Sequence, residues 1–177
     1  MKASTKILNV LLPPALFIAI AYVLLLGIGA ERGAVPSAYQ DQPLPAFSAP
    51  LLERPQDSMD PGAAYAGRWW LLNVWASWCR PCLAELPHLK KLRAGGLPVV
   101  GLAYKDERAD SLAWLARHGS PFVESLQDAQ GTVGIELGVY GVPETFLVDP
   151  DGVMVIKHVG PLAAADVEAI LARAAGE

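Results

Sequence analysis

The sequence predicts an α/β domain with a mixed central sheet and helices on both faces, preceded by one N-terminal transmembrane helix. Three observations carry that expectation. Short apolar runs alternate with amphipathic stretches through the middle of the chain, the pattern of parallel strand–helix–strand units. Two later apolar runs flank Pro150-Asp151-Gly152, a turn signal, so the second half contains a hairpin. Residues Ile7 to Ile28 carry no charge, and the run is long enough to cross a bilayer core as a helix.

Pro13-Pro14 lies inside that first run, where a membrane helix tolerates a kink. Lys2 and Lys6 precede it, whereas Glu31 and Arg32 after it cancel. The positive excess places the N-terminus in the cytoplasm and the rest of the chain across the membrane. A cleaved signal peptide is the rival reading, but its apolar region is usually only about 7–15 residues, and Gly27-Ile28-Gly29-Ala30 is a poor cleavage site. The expected organisation is a cytoplasmic N-terminus over residues 1–6, an anchor over 7–28, a Gly/Pro-rich linker over 29–45 and one globular domain over 46–177.

Residues 50–68 contain Pro55, Pro61 and Gly62 and predict only short or irregular structure. Trp69 to Trp75 suits a strand buried on both faces. Pro81 to Arg93 suits an amphipathic helix with Leu83, Leu86, Leu89 and Leu92 inward, kinked at Pro87 and ended by Gly95-Gly96. Leu97 to Tyr104 reads as a second buried strand. Asp110 to His118 reads as a helix with Leu112 and Leu115 inward, stopped by Gly119. A short strand near Phe122 to Leu126 and a weak helix over Thr132 to Leu137 follow. Strands over Glu144 to Val148 and Val153 to His158 form the hairpin, and a helix over Ala163 to Ala174 closes the chain.

The formal charge of the 177 residues is −4. Lys2, Lys6 and Arg32 against Glu31 leave the remainder at −6. There is no basic run to follow a phosphate backbone, so no nucleic-acid partner is expected.

Cys79 and Cys82 are the only cysteines and are separated by two residues. As a structural staple so small a loop contributes only about 2 kcal/mol on the chain-entropy model. A structural zinc site needs about four ligands, and His88, His118 and His158 are scattered, so no metal is expected. A c-type haem site needs C-x-x-C-H, and Leu83 stands where the histidine belongs. Redox chemistry has a positive argument. A buried strand ends before Cys79 and a helix begins there, so helix amides and dipole favour the Cys79 thiolate. The thiolate is the form that attacks a disulfide. Cys82, shielded in the first turn, is placed to resolve the mixed disulfide. Arg80, between them, either favours the thiolate or is simply solvated.

Topology gathers other residues at the same sheet edge. Tyr104, Lys105 and Asp106 follow the end of the next parallel strand, and the strand after Pro143 starts there. Trp78 is expected beside Cys79 on a docking surface. Trp75 is expected in the core, and Trp69, Trp70 and Trp114 in the core or partly buried. Glu85, one helical turn past Cys82, and Glu144 are candidate acids; a carboxylate buried near a thiol accepts its proton.

The run Asn73-Val74-Trp75-Ala76-Ser77-Trp78-Cys79-Arg80-Pro81-Cys82 resembles the thioredoxin active site. Asn73 departs from the pattern, because thioredoxins usually carry a buried aspartate there that helps proton transfer; Glu85 or Glu144 is the expected substitute. Gly138-Val139-Tyr140-Gly141-Val142-Pro143-Glu144-Thr145-Phe146-Leu147-Val148-Asp149, together with Tyr104-Lys105-Asp106, closely resembles the DsbE/CcmG group, anchored thiol:disulfide interchange proteins of cytochrome c maturation. The likeness covers roughly residues 40 to 160 and the anchor.

The resemblance implies a thioredoxin-like fold and a cis bond before Pro143, with Val142 offering its backbone to the substrate chain. Asp106, which topology gathers at that edge, is either a substrate-binding residue or a solvated loop aspartate. It implies a domain in the periplasm, held at the inner membrane, that needs no cofactor beyond the Cys79–Cys82 disulfide. The implied substrate is the C-x-x-C-H disulfide of apocytochrome c, or a thiol carrier of it. A membrane thiol donor would restore the dithiol. The alternatives are a broader exported thiol reductase and a non-catalytic docking module for apocytochrome.

Overall fold

The structure, a computed structural model, describes residues 12–22 and 41–176. Residues 12–22 are helical and mostly exposed. The expected cytoplasmic N-terminus over 1–6 lies outside the described residues, as does most of the expected anchor over 7–28. Among the described residues no helix is long and apolar enough to cross a membrane.

From Asp41 onward the chain forms one six-stranded sheet in the order β1-β8-β7-β4-β5-β6. Its strands are β1 (Gln42–Pro43), β4 (Trp70–Trp75), β5 (Val99–Tyr104), β6 (Glu124–Asp128), β7 (Glu144–Val148) and β8 (Val153–Val159). β4 and β5, and β5 and β6, pair in parallel; β7 runs antiparallel to β4 and β8. The mixed sheet is therefore the one expected, parallel on one side of β4 and antiparallel on the other. A separate ribbon, β2 (Ala49–Pro50) with β3 (Ser58–Met59), and helix α1 (Pro61–Ala64) occupy the Pro-rich stretch, as short as predicted.

Residues 42 and 43, expected within the linker, belong to the sheet. Gln42 and Pro43 already pair with Met154 and Val153, and Leu44 N–H donates to Gly152 O at 2.8 Å. A two-residue strand containing a proline is tolerated here because β1 is the sheet edge.

Strand alternation divides the core. Leu71 and Trp75 of β4 and Leu147 of β7 face one cluster. Cys82, Leu89 and Leu92 of α2 (Arg80–Ala94), Leu115 of α3 (Arg108–His118), and Val167 and Ile170 of α5 (Ala164–Ala175) complete that cluster. Trp70, Leu72 and Val74 of β4 and Phe146 of β7 face the other, under Phe47, Leu51 and Val133 of α4 (Thr132–Glu136). Helices thus lie on both faces, with Phe47, Ala49 and Leu51 of the stretch before β4 also packed against the second. Trp70 and Trp75 are buried, whereas Trp69 and Trp114 are partly buried.

The leucine stripe of α2 needs one correction. Leu86, Leu89 and Leu92 are buried, but Leu83 is exposed. Steps of three residues drift backwards around a helix, and four such positions span about 180° of it. Cys82 and Glu85 occupy the inward positions instead. The helix runs on through Pro87; the carbonyl this ring leaves unpaired is that of Leu83, on an exposed part of the helix. Leu112 of α3, expected inward, is only partly buried, and Leu115 is the inward residue there.

Candidate active site

Cys79 sits between the end of β4 and the start of α2, as its N-cap. Its Sγ accepts the backbone N–H of Cys82 at 3.1 Å, and the two sulfurs are joined in a disulfide with Cα atoms 5.4 Å apart. Exposure does not separate the two cysteines, since Cys79 is 4% and Cys82 2% exposed. What separates them is position: the first turn of α2 directs its amides at Cys79 Sγ, which favours negative charge there.

Trp78 is 60% exposed beside Cys79, and its indole N–H donates to Lys105 O at 3.1 Å. Lys105 adopts a left-handed φ of 48°, unusual for a residue with a side chain. That turn delivers Asp106 beneath the active-site loop. Asp106 was expected among the surface residues that meet substrate, but it is 6% exposed and its carboxylate points inward. Its Oδ2 accepts from Ser77 N–H at 2.7 Å and Ser111 O–H at 2.6 Å, and Oδ1 accepts from Ser77 O–H at 2.8 Å and Glu107 N–H at 3.0 Å. Four donors on one carboxylate make it the anchor of the Ser77–Cys79 turn.

Asn73, Glu85 and Thr145 meet on the cysteine face of the sheet. Asn73 Nδ2 donates to Glu85 Oε1 at 2.9 Å and to Thr145 Oγ1 at 3.0 Å. Glu85 Oε2 accepts from Leu162 N–H at 3.1 Å. The Glu85 side chain is fully buried. Burial pushes its pKa up to about 7, against the smaller lowering by the Asn73 and Leu162 hydrogen bonds.

Glu144 lies elsewhere. It pairs with Val74 and shares the parity of Phe146, so its side chain leaves the opposite sheet face from Thr145 and the cysteine cluster. Oε1 accepts from Tyr140 N–H at 2.6 Å and Gly141 N–H at 3.1 Å, and Oε2 stands 3.4 Å from Lys157 Nζ. Of the two candidate acids, Glu85 lies on the cysteine face of the sheet, whereas Glu144 is held by loop amides and Lys157 on the far face. The bond Val142–Pro143 is cis, with Pro143 buried, Val142 partly exposed and the Pro143 carbonyl held by Gly160 N–H at 2.9 Å.

Thr145, Leu162, Ser77, Ser111 and Lys157 were not anticipated. Only Thr145 had a signal: strand alternation sets it opposite Asn73. Among the described residues no group of three or more His, Cys, Asp or Glu is placed to hold a metal.

A family model described as Redoxin matches residues 40–171. The thiol:disulfide interchange protein DsbE of Yersinia pestis is 42% identical, over 85% of this chain and 83% of its own. The chain belongs to the DsbE thiol:disulfide interchange proteins. The DsbE of Allochromatium vinosum is 38% identical over 98% of both chains. Among solved structures, a secreted Mycobacterium tuberculosis disulfide oxidoreductase homologous to E. coli DsbE superposes with a TM-score of 0.62 at 25% identity, covering 75% of this chain and 96% of that one. The fold is therefore thioredoxin-like, and the chain is a thiol:disulfide oxidoreductase of the DsbE group with Cys79 and Cys82 as its cysteine pair.

Proposed function

We propose that this DsbE-group protein works as a reductase, held at the inner membrane with its domain in the periplasm. Its substrate on this reading is the C-x-x-C-H disulfide of apocytochrome c, or of a thiol carrier, before haem attachment. The observation that carries the reading is the Cys82 N–H to Cys79 Sγ hydrogen bond at the start of α2, which supports Cys79 as the sulfur that carries negative charge once the disulfide is reduced. The resemblance of Gly138–Asp149 to the cytochrome-maturation group supports the substrate, and the uncharged run after Lys2 and Lys6 supports the anchor and its orientation.

In this scheme the Cys79 thiolate attacks one substrate sulfur. The substrate disulfide breaks, a Cys79–substrate disulfide forms, and the departing sulfur takes up a proton. Cys82 then loses its proton to Glu85, whose pKa near 7 suits a base at neutral pH. The Cys82 thiolate attacks Cys79 Sγ, the Cys79–Cys82 disulfide forms, and the second substrate thiol leaves with the proton. Two electrons pass from the pair to substrate, with one proton from Cys82 by way of Glu85 and one from solvent, and a membrane thiol donor restores the pair. Trp78, Val142 and Pro143 line the path of the substrate chain; Asn73 holds the Glu85 carboxylate, and Asp106 the turn that carries Cys79.

Trapping tests this. A Cys82→Ala variant cannot release substrate, so its mixed disulfide accumulates. Capture of apocytochrome c or of a maturation thiol protein is expected. Capture of unrelated exported proteins alone would replace the substrate with the broader reductase. Turnover retained by Cys79→Ser would remove Cys79 as nucleophile.

A further inference from the structure

The end of the sheet away from Cys79 gathers positive charge in an acidic domain. β4 and β5 start there, and α2, α3 and α5 return to it. Four segments meet at this end, residues 66–70, 88–98, 115–123 and 170–176. They hold Arg68, Lys90, Lys91, Arg93, Arg117 and Arg173 and not one Asp or Glu. Eleven basic and seventeen acidic residues follow Arg32, so more than half of the cations stand in segments free of acids. Lys90 Nζ donates to His118 O at 2.9 Å and Arg93 to Phe122 O at 2.8 Å, and the Arg173 guanidinium lies 5.9 Å from the Trp69 ring. All six are exposed, and among the described residues none takes part in a salt bridge. The acids nearest in the fold are held elsewhere. Glu124 pairs with Arg54, and Asp149 accepts from two amides of the β7–β8 turn.

Cations at helix C-termini favour the helix dipole. That accounts for single residues, but not for the absence of every carboxylate from all four segments. Two further observations concern what meets this end. A groove of about 450 Å³ opens among the cations, lined by Arg68, Trp69, Leu97, Pro98, Leu171 and Ala174. It sets a half-buried indole between two guanidinium groups, and tryptophan favours the boundary between water and lipid. The chain also enters the domain here. Asp41 N–H donates to Met154 O at 2.8 Å, near the start of β8. Residues 29–40 alone separate Asp41 from the expected anchor, at most about 40 Å of extended chain.

We propose that this end of the domain is a membrane-contact surface, where the six cations meet the phosphates of anionic phospholipid headgroups and Trp69 lies at their level. The inference rests on the inner-membrane reading above and adds to it the face that the domain turns to the bilayer. A domain seated this way holds Cys79 about 20 Å from the headgroups, the length of the six-residue β4, and leaves it open to substrate from the aqueous side. Contact of this kind is electrostatic, so it weakens with salt. Cations that served only the helix dipoles would give the same exchange behaviour on any lipid.

The test is amide hydrogen exchange of the full chain reconstituted in vesicles of phosphatidylcholine alone, or of equal parts phosphatidylcholine and phosphatidylglycerol. A lysine or arginine near an anionic surface changes the bound population about fivefold. Exchange over residues 94–98 and 170–175 is therefore expected to slow about fivefold or more on the anionic vesicles, with exchange around Ser77 unchanged. Salt at about 1 M, where the Debye length is about 3 Å, should restore the faster rate. The variant R68Q/K91Q/R173Q should erase the difference between the two lipids and leave the Cys79–Cys82 reduction potential as it was. Equal exchange on both vesicles would overturn the proposal and leave the cations to an acidic protein surface; so would slowing that survives the salt, even if the variant fails to fold. Flotation separates the two readings. A chain that stays out of phosphatidylcholine vesicles has no anchor, and the inner-membrane reading fails. Salt-sensitive flotation on the anionic vesicles would then still support the contact surface, and no flotation would overturn it as well.

Discussion

The amide nitrogen of Asn73 stands 2.9 Å from Oε1 of Glu85 and so ties the strand before Cys79 to the helix that carries Cys82. Where a buried aspartate would supply the acid from the strand, here an amide on the strand holds an acid on the helix. That hydrogen bond lowers the Glu85 pKa, against the larger upward push of burial. Asn73→Ala should therefore move the Glu85 pKa above its present value near 7. The pH dependence of single-turnover disulfide reduction would report the move, with the limb due to Glu85 displaced to higher pH. A displacement to lower pH would contradict this geometry.

Glu85 also links stability to pH. Its folded pKa of about 7 lies above its ordinary 4.5. Between those values the folded protein keeps a proton that the unfolded chain has lost, so stability falls as pH rises through that window. The loss amounts to about 3 kcal/mol at most, complete above the folded value. Urea unfolding of the oxidised protein at pH 5 and pH 8 measures it. Glu85→Gln should flatten the difference, and an unchanged difference in that variant would assign the slope to other groups.

Asp106→Asn should loosen the turn under Cys79. An asparagine offers one acceptor and two donors to a site built from four donors. A variant that strands one or two of them is expected to lose about 1–3 kcal/mol of stability. Hydrogen exchange at the Ser77 amide should accelerate by more than exchange in β5, which separates local loosening from global unfolding.

Gly101→Ala should disturb the tryptophan cluster. A Cβ at Gly101 would lie 2.8 Å from Phe122 Cδ2 and 2.9 Å from Trp75 Nε1. Trp75 stacks on Phe122 at 5.4 Å and meets Trp114 at 4.9 Å, so neither ring moves freely. Overpacking of this kind costs about 1–3 kcal/mol. A lower unfolding midpoint with a changed tryptophan emission spectrum is expected; an unaltered spectrum would mean that the rings give way without cost.

Much of this was legible before the structure. The order of strands and helices follows from apolar runs and turn residues, and Cys79 at a strand–helix junction follows from its spacing. Other features depended on information that periodicity does not carry. Leu83 fits a stripe of leucines in the sequence yet faces solvent, because Cys82 and Glu85 take the inward positions of α2. Lys157 stands between Ile156 and His158 with no local sign of burial; Glu144 and Gly138, which its ammonium meets, lie across the hairpin or beyond it in sequence. The sheet face that Glu144 takes could have been read from the sequence. Period-two alternation sets it with Phe146 rather than with Thr145, on the face away from the cysteines. β1 was hidden because it has only two residues, one of them Pro43.

The central claim is that the Cys79–Cys82 dithiol gives electrons to substrates. The equilibrium reduction potential of the full chain, measured against a glutathione or dithiothreitol couple, tests it most directly. A value near about −270 mV, where thioredoxin lies, is predicted and makes the dithiol a competent reductant. A value near about −120 mV, where a strong disulfide donor lies, would contradict the claim: the same cysteines would then insert disulfides.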